Sequence, residues 1–280
     1  MADGPVTEVE VQRHGREPGR REDRVVVEEP MEIRLEFGPL EARLGKSVSI
    51  TMRTPGEDFE LASGLLFSEG IIESAAELKG VERCGPPAAG RSESNVVKVS
   101  LSPEAEIDPV RLQRNLISSS ACGVCGKASL EAVVPAEPVG PVPAGPRLSA
   151  ATIQAWPARL REGQDAFAAT GGVHAAGVFT PGGELALLRE DVGRHNAVDK
   201  VVGALLARGE LPVGERCLVV SGRTSFEILQ KAIRAGFPVV AGVGAPSNLA
   251  IELARRFGLT LLGFLREDGF NVYAGEERVE

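Results

Sequence analysis

The chain has 280 residues, of which 43% are hydrophobic and 25% are charged, and this is the composition of a soluble protein with an apolar core. Its net charge of -8 excludes broad binding to a nucleic-acid backbone, which needs a basic face. No apolar run reaches the roughly 18 residues of a membrane span, and no signal-peptide core is present. We therefore expect a cytoplasmic protein with neither nucleic-acid nor membrane partners.

The first half of the chain predicts a small α+β region. Residues 1–22 are dense in charge without apolar periodicity, so we expect a disordered tail there. The N-terminal α+β region is then expected to span 23–134 and to end in a loop with two cysteines. Alternating apolar residues predict strands at "MEIRLEF", "KSVSITMRT" and "SNVVKVSLS", helical spacing predicts a helix in "DFELASGLLFSEGII" that stops near Gly70, and "DPVRLQRNLI" predicts a short helix.

A linker and an α/β domain are predicted for the second half. Residues 135–146, "PAEPVGPVPAGP", contain five prolines and no periodicity, which is typical of a linker. In 147–280 the segments "GVHAAGVFT" and "ELALLRED" predict a hairpin, and "NAVDKVVGALLARG" predicts a helix that Gly209 ends. Buried strands at "RCLVVSG", "PVVAGVG" and "LTLLGFL" alternate with helices at "TSFEILQKAIRAG" and "SNLAIELARRFG". This alternation predicts a sheet that helices cover on both faces.

Cys122 and Cys125 form a CxxC pair flanked by glycines. In a reducing cytosol such a pair favours metal binding, redox chemistry or nucleophilic chemistry over a structural disulfide. Zinc needs four ligands, but the other cysteines and histidines are scattered, so we expect no permanent metal. A thioredoxin-like dithiol would begin a helix after a strand, and this pair follows a predicted helix. A nucleophilic or sulfur-carrying cysteine fits the local chemistry best, and the other two readings stay open.

Two further stretches indicate an anion site. In "REDVGRHNAVDK" the side chains of Arg194 and His195 stand at the start of a helix, where backbone N–H groups lack partners. Such a charge cluster is also typical of a capped, ion-paired helix start. The turns "SGRTSFE" and "GAPSNLA" follow buried strands, where α/β folds bind phosphates, and Arg223 makes the first turn the stronger candidate.

Several blocks taken together resemble the FdhD/NarQ family of formate dehydrogenase accessory sulfurtransferases. The blocks are "DFELASGLLFSEGII", "SSSACGVCGK", "DVGRHNAVDK", "SGRTSFEILQKA" and "GAPSNLAIELA", and they stand in the family's order. The resemblance covers roughly Val25 to the C-terminus. It implies a homodimer whose C-terminal α/β domain resembles cytidine deaminases, beside a smaller N-terminal α+β domain.

The resemblance also implies a function. Such proteins take persulfide sulfur from a cysteine desulfurase and pass it to the molybdenum cofactor in its bis-guanine-dinucleotide form, which is then inserted into formate dehydrogenase. By motif match Cys122 carries the persulfide and Cys125 assists. The alternative is a cofactor chaperone without catalysis, whose CxxC is structural or binds zinc.

The same resemblance implies a guanine-dinucleotide site on a short segment after the last strand. Here that segment is "FLREDG", namely Phe264, Leu265, Arg266, Glu267, Asp268 and Gly269. Family members often have more basic residues there, whereas this chain has two acidic ones. We therefore expect Arg223, Arg194 and His195 to supply more of the phosphate contact.

Overall fold

The computed structural model describes residues 4–88, 92–105, 107 and 144–280. The predicted helix at 108–117, both cysteines of the CxxC pair and most of the linker at 135–146 lie outside these residues. The described strands form a two-stranded, a four-stranded and a six-stranded sheet, with helices packed against them. The predicted mixed α/β class is confirmed.

The N-terminus forms a β-hairpin. Strand β1 (Val6–Arg13) pairs with the antiparallel strand β2 (Gly19–Val26) along its whole length. A disordered tail over residues 1–22 is therefore wrong for the part that is described. The dense charge does not prevent pairing, because opposite charges meet across the strands. Arg24 and Glu8 stand directly opposite each other at 3.7 Å, and Arg20 reaches Glu10 diagonally at 3.4 Å.

The first half of the chain forms the four-stranded sheet. Its order is β4-β3-β6-β5, in which β3 is antiparallel to β4 and parallel to β6. The strands are β3 (Glu29–Phe37), β4 (Leu44–Arg53), β5 (Leu78–Arg83) and β6 (Val96–Leu101), and helix α1 (Asp58–Ser68) follows β4. Strands β3, β4 and β6 and helix α1 confirm the predictions from the sequence, while β5 was not predicted.

The second half forms the six-stranded sheet, in the order β12-β11-β10-β9-β7-β8. The three central strands β9, β10 and β11 are parallel, and β7 and β12 run antiparallel to their neighbours. The strands are β7 (His174–Phe179), β8 (Leu185–Asp191), β9 (Cys217–Val220), β10 (Val239–Gly242), β11 (Thr260–Arg266) and β12 (Gly269–Ala274). The hairpin β7–β8 and the three parallel strands confirm the predictions.

The described second half contains five helices, of which the second packs against the N-terminal hairpin and the others lie against this sheet. They are α2 (Ala150–Glu162), α3 (Asp165–Thr170), α4 (Arg194–Ala207), α5 (Phe226–Ala235) and α6 (Asn248–Phe257). The last three were predicted, and Gly209 follows α4 with φ +67°, a conformation that favours glycine. Helix α2 was not predicted, because Pro157 interrupts its pattern. Short 3₁₀ turns stand at Leu40–Ala42, Ala75–Glu77 and Glu276–Arg278.

Apolar side chains fill both faces of the six-stranded sheet. On one face Trp156 and Leu160 of α2 pack with Phe179 and Val219. On the other face the side chains of α4, α5 and α6 form a larger cluster. That cluster also contains the buried residues of β3, β6 and α1, so the two halves of the chain share one core. The predicted domain boundaries at 134 and 147 stay a prediction.

Helices α1 and α4 cross at two glycines. A Cβ atom at residue 64 would lie 1.9 Å from the carbonyl oxygen of Asp199, and one at residue 203 would lie 1.9 Å from that of Glu60. Only glycine permits this approach, because the opposing atoms belong to backbone. The crossing fixes the N-terminal sheet against the helix that begins at Arg194. Among the described helices none is long and apolar enough to cross a membrane.

Candidate functional site

The described candidate residues meet at one edge of the six-stranded sheet. Strands β8, β9, β10 and β11 run in the same direction, so their carboxyl ends lie together at this edge. The first three continue into α4, α5 and α6 through short turns, and antiparallel β7 begins here, at His174. This is the edge at which open α/β sheets bind ligands.

Backbone hydrogen bonds join the turns that follow β9 and β10. The N–H of Gly244 donates to the carbonyl of Gly222 at 2.9 Å, and the N–H of Ser247 donates to that of Thr224 at 3.0 Å. Thr224 in turn donates its N–H to Ala245 at 3.2 Å. The stretches "SGRTSFE" and "GAPSNLA", which the sequence could only place separately, therefore form one rigid double turn that presents Arg223.

Residues 264–269 comprise the end of β11, the turn at 267–268 and the first residue of β12. The sequence placed this segment after the last strand, which is wrong, because Phe264, Leu265 and Arg266 belong to β11 and Gly269 begins β12. The N–H of Phe264 donates to the carbonyl of Gly244 at 3.1 Å, and Nη1 of Arg266 donates to that of Val243 at 2.7 Å. These bonds attach the segment to the double turn.

Four basic side chains surround the double turn: Arg194, His195, Arg223 and His174. We call them the basic cluster. Burial is the main cause that lowers the pKa of His174, the nearby charges of Arg194, His195 and Arg223 lower it further, and Asp191 opposes them. The charges of the cluster therefore add to burial in disfavouring a further proton on His174. An anionic ligand at the cluster would reduce the part of this effect that comes from charge.

Two polar atoms of this region lack protein partners. Nε of Arg194 and Oγ1 of Thr224 are inaccessible to solvent and have no hydrogen-bond partner among the described residues. Buried polar groups are normally satisfied, so each orphan needs an explanation. A ligand with acceptor oxygens at this edge would supply partners for both.

His195 is held by the first turn of α5. Its Nε2 lies 2.9 Å from Oε2 of Glu227 and 3.3 Å from Oγ of Ser225. His195 therefore lies in the basic cluster, but its Nε2 already has protein partners. This leaves Arg194 and Arg223 as the stronger contacts for an anion.

The other charged residues of "REDVGRHNAVDK" are structural. The carboxylate of Asp191 is fully buried and accepts from the N–H of Gly193 at 2.8 Å, Nδ2 of Asn196 at 2.9 Å and the N–H of Thr54 at 3.1 Å, and it pairs with Nζ of Lys200 at 3.0 Å. These bonds fix the turn that carries Arg194 and attach it to the β4–α1 turn. The motif therefore combines an ion-paired framework with the candidate anion contacts.

A cavity of about 830 Å³ adjoins the basic cluster. It lies between α2, the start of α3 and the β11–β12 turn, and His174 and Ser221 form part of its wall. Arg266 and Glu267 of the predicted nucleotide segment also line it. The volume is in the range of pockets for small molecules and cofactors.

Cys122 and Cys125 lie outside the described residues, so their predicted roles stay predictions. Of the two remaining cysteines, Cys84 is half-buried and Cys217 is buried. Burial raises the pKa of the Cys217 thiol to about 12, which disfavours its reactive thiolate form. Within the described ranges no three His, Cys, Asp or Glu side chains could hold a metal ion together.

Sequence reasoning missed two residues of this edge. It weighed His174 only as a zinc ligand and did not consider Gln164, which lines the cavity. The predicted hairpin of β7 and β8 carried a signal for His174, because the start of an antiparallel strand lies beside the carboxyl ends of its neighbours. No signal marked Gln164. Fold and site together define a mixed α/β protein with a basic cluster beside a cavity at the carboxyl edge of its sheet.

Comparison with known proteins identifies the family to which the chain belongs. A model described as the FdhD/NarQ family matches residues 26–280, and the chain belongs to that family. The "Sulfur carrier protein FdhD" of Streptomyces avermitilis is 50% identical over 265 residues, covering 92% of this chain and 90% of the relative. The protein of the same name from Mycobacterium tuberculosis is 45% identical over 263 residues, with 92% of each chain covered.

A solved structure agrees with the fold. The crystal structure of a protein described as a formate dehydrogenase accessory protein, from Desulfotalea psychrophila, matches with a TM-score of 0.70. The match covers 98% of both chains at 24% sequence identity. At this identity the likeness concerns the fold alone.

Proposed function

We propose that the chain is a sulfur carrier for formate dehydrogenase maturation. It takes persulfide sulfur from a cysteine desulfurase on Cys122 and transfers it to the molybdenum cofactor in its bis-guanine-dinucleotide form, before that cofactor enters formate dehydrogenase. The observation that carries the proposal is the basic cluster at the sheet edge, joined to a cofactor-sized cavity, in a chain whose close relatives are named sulfur carriers.

The chemistry at Cys122 is an exchange between sulfur atoms. The Cys122 thiolate attacks the outer sulfur of the desulfurase persulfide, a new S–S bond forms, and the desulfurase cysteine leaves as a thiolate. When the outer sulfur passes on, the acceptor would supply the electron pair of the new bond to sulfur and would be oxidised by two electrons. The S–S bond would break, and its electron pair would leave with Cys122 as a thiolate. Cys125 assists the exchange as the neighbouring thiol.

The basic cluster binds the acceptor. A dinucleotide carries a diphosphate, and Arg194 and Arg223 offer guanidinium donors that match phosphate oxygens in geometry and charge. The unpartnered Nε of Arg194 supports this assignment. His174, whose pKa burial lowers, adds a donor at one ring nitrogen without adding a full positive charge. The residues present thus fit a bound nucleotide diphosphate.

Cys122→Ala is expected to abolish loading with sulfur. The protein is incubated with a cysteine desulfurase and cysteine, and its intact mass is measured without reductant. The wild type should gain the mass of one sulfur atom, and the variant should gain none, because the attacking thiolate is absent. Cys84→Ala is the matched control and should load like the wild type. An adduct of equal yield in Cys122→Ala would contradict the role of Cys122.

The same preparation separates sulfur transfer from the chaperone alternative. A structural or zinc-binding CxxC predicts zinc in equal molar amount in protein purified without chelator, and it predicts no sulfur adduct. A carrier predicts the adduct in metal-free protein. A dithiol oxidoreductase would need both cysteines equally, whereas the carrier depends more on Cys122.

We also propose that the protein acts in the cytoplasm as a homodimer. A cysteine desulfurase and a reduced thiol pool are cytoplasmic resources, and the free thiol of Cys122 requires reducing conditions. Light scattering on the purified chain is expected to give twice the mass of one chain. A mass of 29.5 kDa across the concentration range would contradict the dimer.

A further inference from the structure

The cavity beside the basic cluster presents both hydrogen-bond donors and acceptors, whereas the cluster presents basic groups. Its wall combines apolar surface from Leu160 and Leu265 with the polar side chains of Gln164 and Glu267. Pockets with apolar walls and a few placed polar groups fix the orientation of a flat ligand. The two parts of the edge are therefore suited to different parts of one molecule, one of them anionic and the other neutral and polar.

Gln164 is the buried polar group of the cavity. Only 4% of this residue is exposed, and its Nε2 has no acceptor within hydrogen-bonding distance among the described residues. A buried amide without a partner is costly, so the native fold keeps one where something else completes the bond. The missing partner is an acceptor, such as the carbonyl oxygen of a ligand.

Glu267 stands at the rim of the same cavity and can only accept when ionised. Between them, Gln164 supplies a donor and Glu267 a pair of acceptor oxygens. Close by, the guanidinium of Arg161 lies over the ring of Phe167 at 4.1 Å, which gives the wall a flat cationic and aromatic surface. This set matches a planar heterocycle that has a carbonyl oxygen beside ring and amino N–H groups.

We propose that the cavity takes the guanine base of the acceptor and that Gln164 and Glu267 determine the choice of base. The amide of Gln164 donates to O6, and the carboxylate of Glu267 accepts from N1–H and the 2-amino group. This inference rests on the proposed function, in which a guanine dinucleotide is the acceptor. Glu267 of the segment at 264–269 then contacts the base, while Arg194 and Arg223 bind the phosphates.

The same arrangement rejects other bases. Adenine and cytosine present a ring nitrogen acceptor where guanine presents N1–H, so the carboxylate of Glu267 would face a lone pair. A site built to bond a particular polar group discriminates strongly against a ligand that lacks it, because its own groups are left unpaired. Hypoxanthine keeps O6 and N1–H and lacks only the 2-amino group. Its binding affinity should therefore lie between those of guanine and adenine.

Binding of free nucleotides to the full chain tests the proposal. Dissociation constants of GDP, IDP and ADP are measured by calorimetry for the wild type, Glu267→Gln, Gln164→Leu and the control Glu252→Gln, which removes a carboxylate from the exposed face of α6. The wild type should bind in the order GDP, IDP, ADP. Glu267→Gln should raise the dissociation constant of GDP about tenfold or more, because a charge-assisted bond to the 2-amino group is lost. For the same reason it should reduce the preference for GDP over IDP. Gln164→Leu should raise the dissociation constants of GDP and IDP by the same factor, about threefold to tenfold, because both bases keep the O6 atom that Gln164 contacts.

The possible results separate this inference from the proposed function. Suppose that the wild type binds GDP. If Glu267→Gln then keeps the wild-type affinities for GDP and IDP, or if the wild type binds ADP as tightly as GDP, the proposal that Gln164 and Glu267 select the base is wrong. The proposed sulfur carrier function is not affected by either result. If the wild type binds no GDP, the guanine-dinucleotide acceptor fails together with the inference, whereas sulfur loading on Cys122 is judged by the mass measurement. Circular dichroism of each variant shows that its fold is intact before the affinities are compared.

Discussion

Gly203→Ala is expected to lower the free energy of unfolding by about 3 kcal/mol or more. A Cβ at this position would lie 1.9 Å from the carbonyl oxygen of Glu60, which is backbone and cannot rotate away. Helices α1 and α4 would have to separate, and overfilling a packed interface typically costs about 1–3 kcal/mol even when side chains can yield. Alanine stabilises a helix by roughly 1 kcal/mol relative to glycine. The cost of separating the two helices must therefore exceed that gain before the free energy of unfolding falls.

The midpoint of urea denaturation measures this effect, with Gly80→Ala as the control. A Cβ at residue 80 would meet no atom within 4 Å, so that variant should unfold at or near the urea concentration of the wild type. Gly64→Ala, at the reciprocal contact with Asp199, should behave like Gly203→Ala. Wild-type stability in both variants of the crossing would mean that the two helices do not approach each other this closely.

The elements that the sequence predicts best are those whose buried residues recur at the regular spacing of a strand or a helix. Strand β3 buries Met31, Ile33 and Leu35 in strict alternation, and α5 carries an amphipathic pattern between a predicted strand and Gly236. The N-terminal hairpin was missed because β2 is almost entirely exposed and β1 is at most half-buried, so the hairpin lacks the apolar signal of a core strand. Its pairing depends on residues that lie on the facing strand, which a scan along the chain does not compare.

The candidate site was predictable where it depends on turns. Arg223 follows the buried strand β9, and Arg194 begins the helix that follows β8. This strand–turn–helix context alone places both at the carboxyl edge of the sheet. Gln164 has no such context, because it stands between α2 and α3, and α2 was not predicted. Its contribution depends on how α3 packs beside the sheet, and only the tertiary structure shows that.

The distinction between structural and ligand-facing charge also required the structure. The motif "DVGRHNAVDK" contains two acidic and three basic side chains within ten residues, and a sequence cannot tell which of them pair with each other. The fold buries Asp191 with Lys200 and Asp199 with Lys231. Arg194 is left as the cation of the motif that faces the sheet edge, with Nε lacking a partner among the described residues. Burial therefore separates the framework from the binding groups.

Replacing both arginines of the basic cluster is expected to weaken GDP binding about a hundredfold or more. Each hydrogen bond from a charged donor to a phosphate contributes about 1.5–3 kcal/mol, and Arg194→Gln and Arg223→Gln each remove one charged donor group. Arg194 lies at the partly buried start of α4, where water screens charge less than at an exposed surface. Each single variant should therefore bind GDP about tenfold or more weakly than the wild type, and the affinity should fall further for Arg194→Gln than for Arg223→Gln.

Calorimetry at two salt concentrations measures this effect and separates it from a general change of charge. Arg208→Gln removes the same charge at the exposed opposite end of α4 and should leave the affinity for GDP near that of the wild type. The affinity of the wild type should fall as salt rises, and the double variant should be less sensitive, because fewer charged contacts remain to be screened. Because Gln164 and Glu267 contact the base in our proposal, the double variant should keep the preference for GDP over ADP while losing affinity for both. Equal GDP affinity in the double variant and in Arg208→Gln would show that the phosphates bind elsewhere, and the basic cluster would then need another ligand.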